Sequence, residues 1–276
     1  MEDISKIIAE YKSLNLHEVI DYDKFSQYAI VHHSSSIEGS TLTENETRLL
    51  LDEGVTPKGK PLEHSLMVKD HFDALQFVLE SSNKKIPVST LFIQQINTRV
   101  MRHTGGLYNT VFGEIDASKG MFRKGNVSAG GSYFINYDKV EPYTKRLADN
   151  LEDSLSSIES IREQLILSFT AHFDLVSIHP FYDGNGRTSR LLMNYIQSYY
   201  GLPLAIVFKE DKVDYFTALQ ESRKQEDIAI FTEFMFSQYR KFLGNEIRQF
   251  LKDTSKNELQ TKGGGKNKGK GYSLFF

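Results

Sequence analysis

An all-α fold broken by one small β-hairpin is what this sequence predicts, and three observations carry that expectation. Apolar residues recur at helical spacing through most of the 276 residues. Glycines crowd the stretch from Gly105 to Gly131, where the helical period lapses. Two strongly helical segments then meet at one short loop, His179–Arg190, which concentrates the chemistry-bearing side chains.

In chain order, residues 23–38 read as a helix that Gly39 closes in a left-handed cap. Thr43 and Glu46 have the spacing of a capping box for a second helix, ending at Gly54. The segment VTPKGKP is a loop. Over residues 62–81, Leu62, Leu66, Leu75 and Leu79 fall near one helical face, with Phe72 and Val78 beside them. A further helix is expected over 88–102. Within the glycine-rich stretch, MFRKGNVSAGGSYFINY fits a ribbon-like hairpin turning near Gly130–Ser132. Helical pattern returns near residue 139. Residues 159–178 are apolar around much of the circumference, the mark of a central buried helix. Helices over 187–200, 211–224 and 227–252 follow. The closing TKGGGKNKGKGYSLFF, rich in Gly and Lys, predicts a mobile tail.

Composition excludes several classes. Hydrophobic residues make up 39% and charged residues 25%, an ordinary globular balance. A net charge of −3 predicts no general affinity for nucleic acid, because a phosphate-backbone binder needs excess Lys and Arg. With no cysteine, disulfides, zinc ribbons and thiol nucleophiles are ruled out. The opening MEDISKIIAEYKSLN lacks the basic-then-apolar layout of a secretion signal, and no apolar run is long enough to span a membrane. A cytoplasmic location is expected by default.

The sequence HPFYDGNGRTSR, His179–Arg190, has the parts of a phosphate site. Pro180 disfavours helix at His179 and should stop the preceding helix there. Gly184-Asn185-Gly186 would expose backbone N–H groups at the start of the next helix, an anion cradle strengthened by the helix dipole. Arg187 and Arg190, three apart, share a helical face and can grip phosphate oxygens as forks. Asp183 offers a carboxylate suited to a magnesium ion shared with phosphates. His179, at the other lip, suits removal of a proton from an incoming hydroxyl. Phe181 is the apolar anchor. Each part alone is more often a helix stop, a turn or a solvated face; together, in this order within twelve residues, they point to a phosphate site.

This loop resembles the signature of Fic-domain proteins, HxFx(D/E)GNGRxxR, at every specified position. GMFRKGNV…YFINYDKVEP resembles the family's β-hairpin flap, Tyr215 within VDYFTALQ resembles an element bordering the nucleotide base, and SIEGSTLTENETRLLLDEG resembles the helical segment that often precedes the domain. The resemblance implies a Fic-type helical bundle with a small β-hairpin flap: an N-terminal helical region over 1–104, a catalytic core over 105–253 and a flexible tail over 254–276. It also implies transfer of AMP from ATP to a Ser, Thr or Tyr hydroxyl of a protein, releasing pyrophosphate. On that basis His179 would deprotonate the target hydroxyl and Asp183 would hold Mg²⁺. Asn185 and the amides of Gly184 and Gly186 would cradle phosphates, Arg187 would hold the β- and γ-phosphates, and Arg190 the γ-phosphate. Val127 in the flap would align the target by strand addition.

Residues 34–39, SSSIEG, place Ser34 and Glu38 four apart and resemble the family's inhibitory motif, closed by Gly39. The resemblance implies that Glu38 pairs with Arg190 and keeps ATP from binding productively, and leaves open that Glu38 orients a water for removing AMP. Similar loops in relatives transfer UMP, phosphocholine or phosphate, and a nucleotide-sensing binding module is the alternative from another class. Too little chain follows the last predicted helix for the winged-helix domain of some relatives, so no DNA partner is expected. The partners implied are ATP, a protein bearing a hydroxyl side chain, the protein itself as a target, and a second copy in a homodimer. The remaining histidines form no metal-like cluster, and His172 reads as structural.

Overall fold

Several helix starts in this chain are encoded locally by side-chain caps. The computed structural model describes residues 3–19, 21–111, 113–129 and 131–262. Helix α1 (Ile4–Ser13) is capped by the Asp3 carboxylate, which accepts from the Ser5 amide, and buries Ile4, Ile7 and Ile8 at helical spacing. Helix α2 (Tyr22–Ile37) ends on Glu38, and Gly39 follows at φ +107°. Helix α3 (Glu44–Glu53) begins with both halves of the Thr43–Glu46 capping box, at 3.2 and 2.8 Å, and Gly54 closes it at φ +72°. Helices α4 (Leu62–Asn83) and α5 (Thr90–Val100) follow, the second capped by Ser89.

The middle segment differs from expectation in one respect. It holds two antiparallel hairpins rather than one. Strand β1 (Leu107–Thr110) pairs with β2 (Gly113–Asp116), and β3 (Ser128–Ala129) pairs with β4 (Ser132–Tyr133). The second is the hairpin that the sequence predicts, with Ser128 opposite Tyr133. Gly130 lies outside the described residues, and Gly131 sits at φ +76°. The first hairpin escaped notice because Leu107-Tyr108-Asn109-Thr110 is too short and mixed to show alternation.

Helices α6 (Val140–Leu155), α7 (Ile161–Ile178) and α8 (Asn185–Tyr199) follow, with α7 and α8 packed together in the core. A 3₁₀ turn, Lys209–Asp211, leads into α9 (Lys212–Gln225), and α10 (Ile228–Lys262) closes the described chain. Thus α10 runs into the segment predicted as tail; residues 263–276 lie outside the described residues. Leu165, Phe169 and Leu175 of α7 pack with Leu191, Leu192 and Ile196 of α8 and with Phe231 and Phe236 of α10. All eight side chains are essentially buried, and such burial is the main stabilising term of a fold like this. Helix α2 lies against α4, which itself packs on α8. A polar network fixes the start of α2: Tyr11 and Tyr22 hydroxyls lie 2.6 Å apart, and Tyr22 donates to Glu246 of α10 at 2.8 Å. Among the described residues, no helix is long and apolar enough to cross a membrane.

Candidate active site

The loop between α7 and α8 is shaped by strain and by side-chain clips. His179 terminates α7 in the left-handed region, φ +52°, while its amide still bonds the Leu175 carbonyl at 3.0 Å. A non-glycine residue holds that conformation at some cost. Phe181 is 1% exposed, against Phe122, and anchors the loop. Asn185 clips it: its amide side chain accepts from the Phe181 N–H and donates to the Phe181 carbonyl, both at 2.9 Å. Asn97 of α5 donates to the Asp183 carbonyl at 3.0 Å and to the Thr188 hydroxyl at 3.1 Å. Gly184 is the N-cap of α8 at φ +77°. A Cβ there would come within 2.7 Å of Met101 Sδ and 2.8 Å of Asn97 Nδ2, so α5 and the backbone both demand glycine.

Two arginines on α8 lie buried at the cradle. Arg190 is well bonded: Nε donates to the Ser34 hydroxyl (2.8 Å), Nη2 to the Ser34 carbonyl (3.2 Å) and Glu38 Oε1 (2.6 Å), and Nη1 to the Tyr215 hydroxyl (3.3 Å). Burial disfavours its charge, but the facing Tyr215 and Glu38 hold its pKa above the ordinary value. Arg187 is 2% exposed and poorly matched. It has the Val100 carbonyl at 3.3 Å, the weak acceptor Met101 Sδ at 3.1 Å and Asp183 at 3.9 Å, while its Nε finds no partner among the described residues. A buried guanidinium with an unpartnered donor at a helix N-terminus has the chemistry to bind an anion.

Glu38 holds part of that place. Its Oε1 would lie 2.5 Å from a Cβ on Gly186, so the carboxylate sits on the first turn of α8 as well as on Arg190. Burial pushes its pKa up, but Arg190 and then Arg187 outweigh this and hold it below the usual carboxylate range.

His179 lies under the β3–β4 hairpin. Phe134 stacks on its ring, centroids 3.9 Å apart at 18°. Val127, on the opposite arm, accepts from the Phe134 amide at 3.4 Å. Arg123, which precedes the hairpin and is 1% exposed, donates to the His179 carbonyl at 2.7 Å. Burial lowers the His179 pKa to about 4; the Val176 carbonyl and Glu38 oppose that shift, while Arg123 and Arg223 add to it. At neutral pH the imidazole is therefore an uncharged base.

The other hairpin touches the same loop from Tyr108, stacked on Tyr182 at 4.8 Å and 13°.

Asp183 is half exposed; one oxygen accepts from the Gly184 amide at 2.5 Å. Among the described residues no three acids or histidines cluster to hold a metal ion. One carboxylate beside an anion cradle fits magnesium, which is held by few protein ligands and completed by substrate phosphates.

The predicted loop residues therefore converge with Ser34 and Glu38 in one place, and Gly39 closes α2 beside them. Two placements differ from expectation. Asn185 spends its side chain on the Phe181 backbone, leaving only its main chain for an anion. Tyr215, expected beside a base, is 1% exposed, and its hydroxyl also meets His172 Nε2 at 2.9 Å. Its neighbour Phe216 is the exposed aromatic there, at 40%. Sequence reasoning missed Arg123, Phe134 and Asn97, whose roles depend on contacts far apart in the chain.

A helical domain with two small hairpins carries a cradle at a helix N-terminus with a histidine at its lip, and comparison finds proteins similar to this chain. Residues 87–197 match the model of the Fic/DOC family. The chain is 29% identical over 212 residues to the protein adenylyltransferase Fic of Drosophila willistoni and 30% identical over 212 residues to that of Drosophila yakuba; each match covers 77% of this chain. The chain spans about 40% of the length of these curated relatives. A Fic domain containing signaling protein from Bacteroides thetaiotaomicron superposes with a TM-score of 0.75 at 24% identity, covering 89% of this chain and 95% of that one. Fic-1 of C. elegans gives 0.71 at 23%, covering 92% and 72%. The chain is thus similar to Fic/DOC family proteins, with residues 87–197 carrying the family match.

Proposed function

We propose that this chain is a protein adenylyltransferase, moving AMP from ATP to a side-chain hydroxyl of a protein, and that Glu38 holds it in check. The observation that carries the reading is the pair of buried arginines at the N-terminus of α8, one with an orphan donor and one closed by a carboxylate, next to an uncharged His179. The relatives' name, protein adenylyltransferase, supports it.

The chemistry follows from the placement. The hydroxyl oxygen of the target attacks the α-phosphorus, and the bond to the β-phosphate bridging oxygen breaks, releasing pyrophosphate. The hydroxyl proton goes to His179. Its Nδ1 lies 3.4 Å from the Val176 carbonyl, so the tautomer inferred from that contact carries the proton on Nδ1 and leaves Nε2 as the base. Arg187 and the backbone amides of Asn185 and Gly186 bind phosphate oxygens, and Arg190 does so once Glu38 has left. Asp183 would hold magnesium; when bound, the ion supplies neutralisation of phosphate charge. Val127 on the hairpin supports docking of an extended target strand.

The test uses ATP labelled at the α- or the γ-phosphate, with α-labelled UTP and GTP beside it, on wild type, Glu38→Gly and His179→Ala. Label on protein from the α- but not the γ-position is expected, with ATP ahead of the other nucleotides. Incorporation of γ-label instead would make the protein a kinase and sink the reading. The same labelled target, returned to wild type and to Glu38→Gly, tests removal of AMP by Glu38; equal release from both would exclude it.

A further inference from the structure

We propose that the β3–β4 hairpin positions the catalytic imidazole itself, through Phe134 stacked on His179 and Arg123 gripping the backbone beneath it. The proposal rests on the reading of His179 as the base.

Arg123 is a fully buried cation whose side-chain hydrogen bonds, among the described residues, all go to backbone carbonyls. Nε donates to His179 (2.7 Å), Nη1 to Gly125 (2.8 Å), and Nη2 to Ile135 (2.6 Å) and Ile178 (3.5 Å). Its own amide bonds the Pro180 carbonyl at 2.9 Å. Gly125 and Ile135 are the two feet of the hairpin; Ile178 and His179 end α7. One planar fork thus bolts the hairpin to the carbonyl-rich end of the catalytic helix, where a cation is favoured. A lysine, a single ammonium on a flexible stem, cannot span the same set.

Phe134 leaves β4 directly and lies flat on the imidazole. The Arg223 guanidinium of α9 sits 5.6 Å from the Phe134 ring centroid, and Arg223 is itself tied to the Leu219 carbonyl at 3.1 Å. Phe134 therefore contacts both the His179 ring and a cation on another helix. By contrast, the imidazole's own helix offers it only the long contact to Val176. Side-chain orientation at His179 is thus set mainly by the hairpin. A target strand that docks there also settles the ring that must take its proton. The charged groups facing His179 are Arg123 beside the hairpin, Arg223 on α9 and Glu38 at the end of α2.

The experiment uses the full chain carrying Glu38→Gly, with Phe134→Ala, Phe134→Tyr or Arg123→Lys added. Two things are measured: kcat and KM for ATP, and the His179 titration by NMR. Phe134→Ala should lower kcat by about tenfold or more at unchanged KM for ATP, as expected when a general base loses its aim. It should also move the His179 titration up toward the ordinary histidine range. Phe134→Tyr, which keeps the stack, should restore both, and Arg123→Lys should lower kcat while the helical fold persists by circular dichroism. Unchanged kcat and an unmoved His179 titration in Phe134→Ala would overturn the proposal. A loss of melting temperature alone, with the titration unmoved, would do the same by making Phe134 merely structural. If adding His179→Ala left transfer intact, the base reading would fail instead; the NMR titration judges the stacking independently of that outcome.

Discussion

Glu38 Oε1 lies 2.6 Å from Arg190 Nη2 and against Gly186, so one carboxylate meets both the arginine and the helix N-terminus that a phosphate would use. Arg190 is not held by Glu38 alone. Ser34, one turn earlier on α2, supplies a hydroxyl and a carbonyl, and Tyr215 supplies a hydroxyl from α9.

That division predicts a graded response. Ser34→Ala removes the acceptor of Nε but keeps the Ser34 carbonyl and Glu38. Transfer should rise only a few-fold, roughly what one hydrogen bond of about 1 kcal/mol supports. Glu38→Gly removes the charge and should do more. The check is initial rates of label incorporation for both variants. A larger gain from Ser34→Ala than from Glu38→Gly would mean that the inhibitory contact has been misassigned.

Tyr215 is the partner of Arg190 that does not belong to α2. Its hydroxyl accepts from Arg190 and so, having one proton, donates it to His172 Nε2. His172, buried and with its pKa lowered well below the ordinary value, stays neutral to receive it. Tyr215→Phe leaves two buried groups unpaired, a loss of about 1–3 kcal/mol. In the Glu38→Gly background it should raise KM for ATP by roughly tenfold while kcat changes little, since about 1.4 kcal/mol is one decade of affinity. A fall in kcat at constant KM would place Tyr215 in the chemical step instead.

Gly184 has two independent reasons to be glycine. Alanine there would be strained at φ +77° and would push on Met101 and Asn97 of α5. Gly184→Ala should destabilise the protein by about 2 kcal/mol and abolish transfer even with Glu38→Gly. Thermal denaturation followed by circular dichroism checks the first part. A stable, active variant would show that the loop relaxes more freely than its contacts imply.

How much of this was legible in the sequence depended on how local each signal was. The Thr43–Glu46 capping box, the Gly39 and Gly54 stops and the apolar girth of α7 are written within a few residues, and the structure carries each of them. The loop residues and Glu38 were named in advance because their spacing is itself the signal. The pairing of Glu38 with Arg190 is found at 2.6 Å. Arg123 was invisible because its acceptors are carbonyls spread from Gly125 to His179, and carbonyls have no residue type. At Asn185 the spacing did not show that the side chain satisfies the loop's own backbone. The base-bordering role expected at Tyr215 met a buried residue, since sequence does not reveal which of two adjacent aromatics, Tyr215 or Phe216, turns inward.

Glu246 gives a pH signature away from the site. Burial raises its carboxyl from 4.5 to about 7, although the Tyr22 hydroxyl bond opposes the shift. A raised carboxyl pKa means full stability below the unfolded value, lost as pH rises through about 7. Glu246→Gln keeps an acceptor for Tyr22 but cannot ionise. It should match wild type near pH 4.5 and exceed it at pH 8, by on the order of 3 kcal/mol. Melting curves at the two pH values decide; an equal difference at both would show that Glu246 does not titrate in this window.

The central claim, a transferase whose buried arginine is held by its own glutamate, is tested most directly by one comparison. Wild type, Glu38→Gly and the double variant Glu38→Gly/His179→Ala are incubated with magnesium and α-labelled ATP, and label on protein is counted. The account predicts little label with wild type, at least about tenfold more with Glu38→Gly, and none with the double variant. Equal labelling by wild type and Glu38→Gly, or labelling that survives loss of His179, would contradict it.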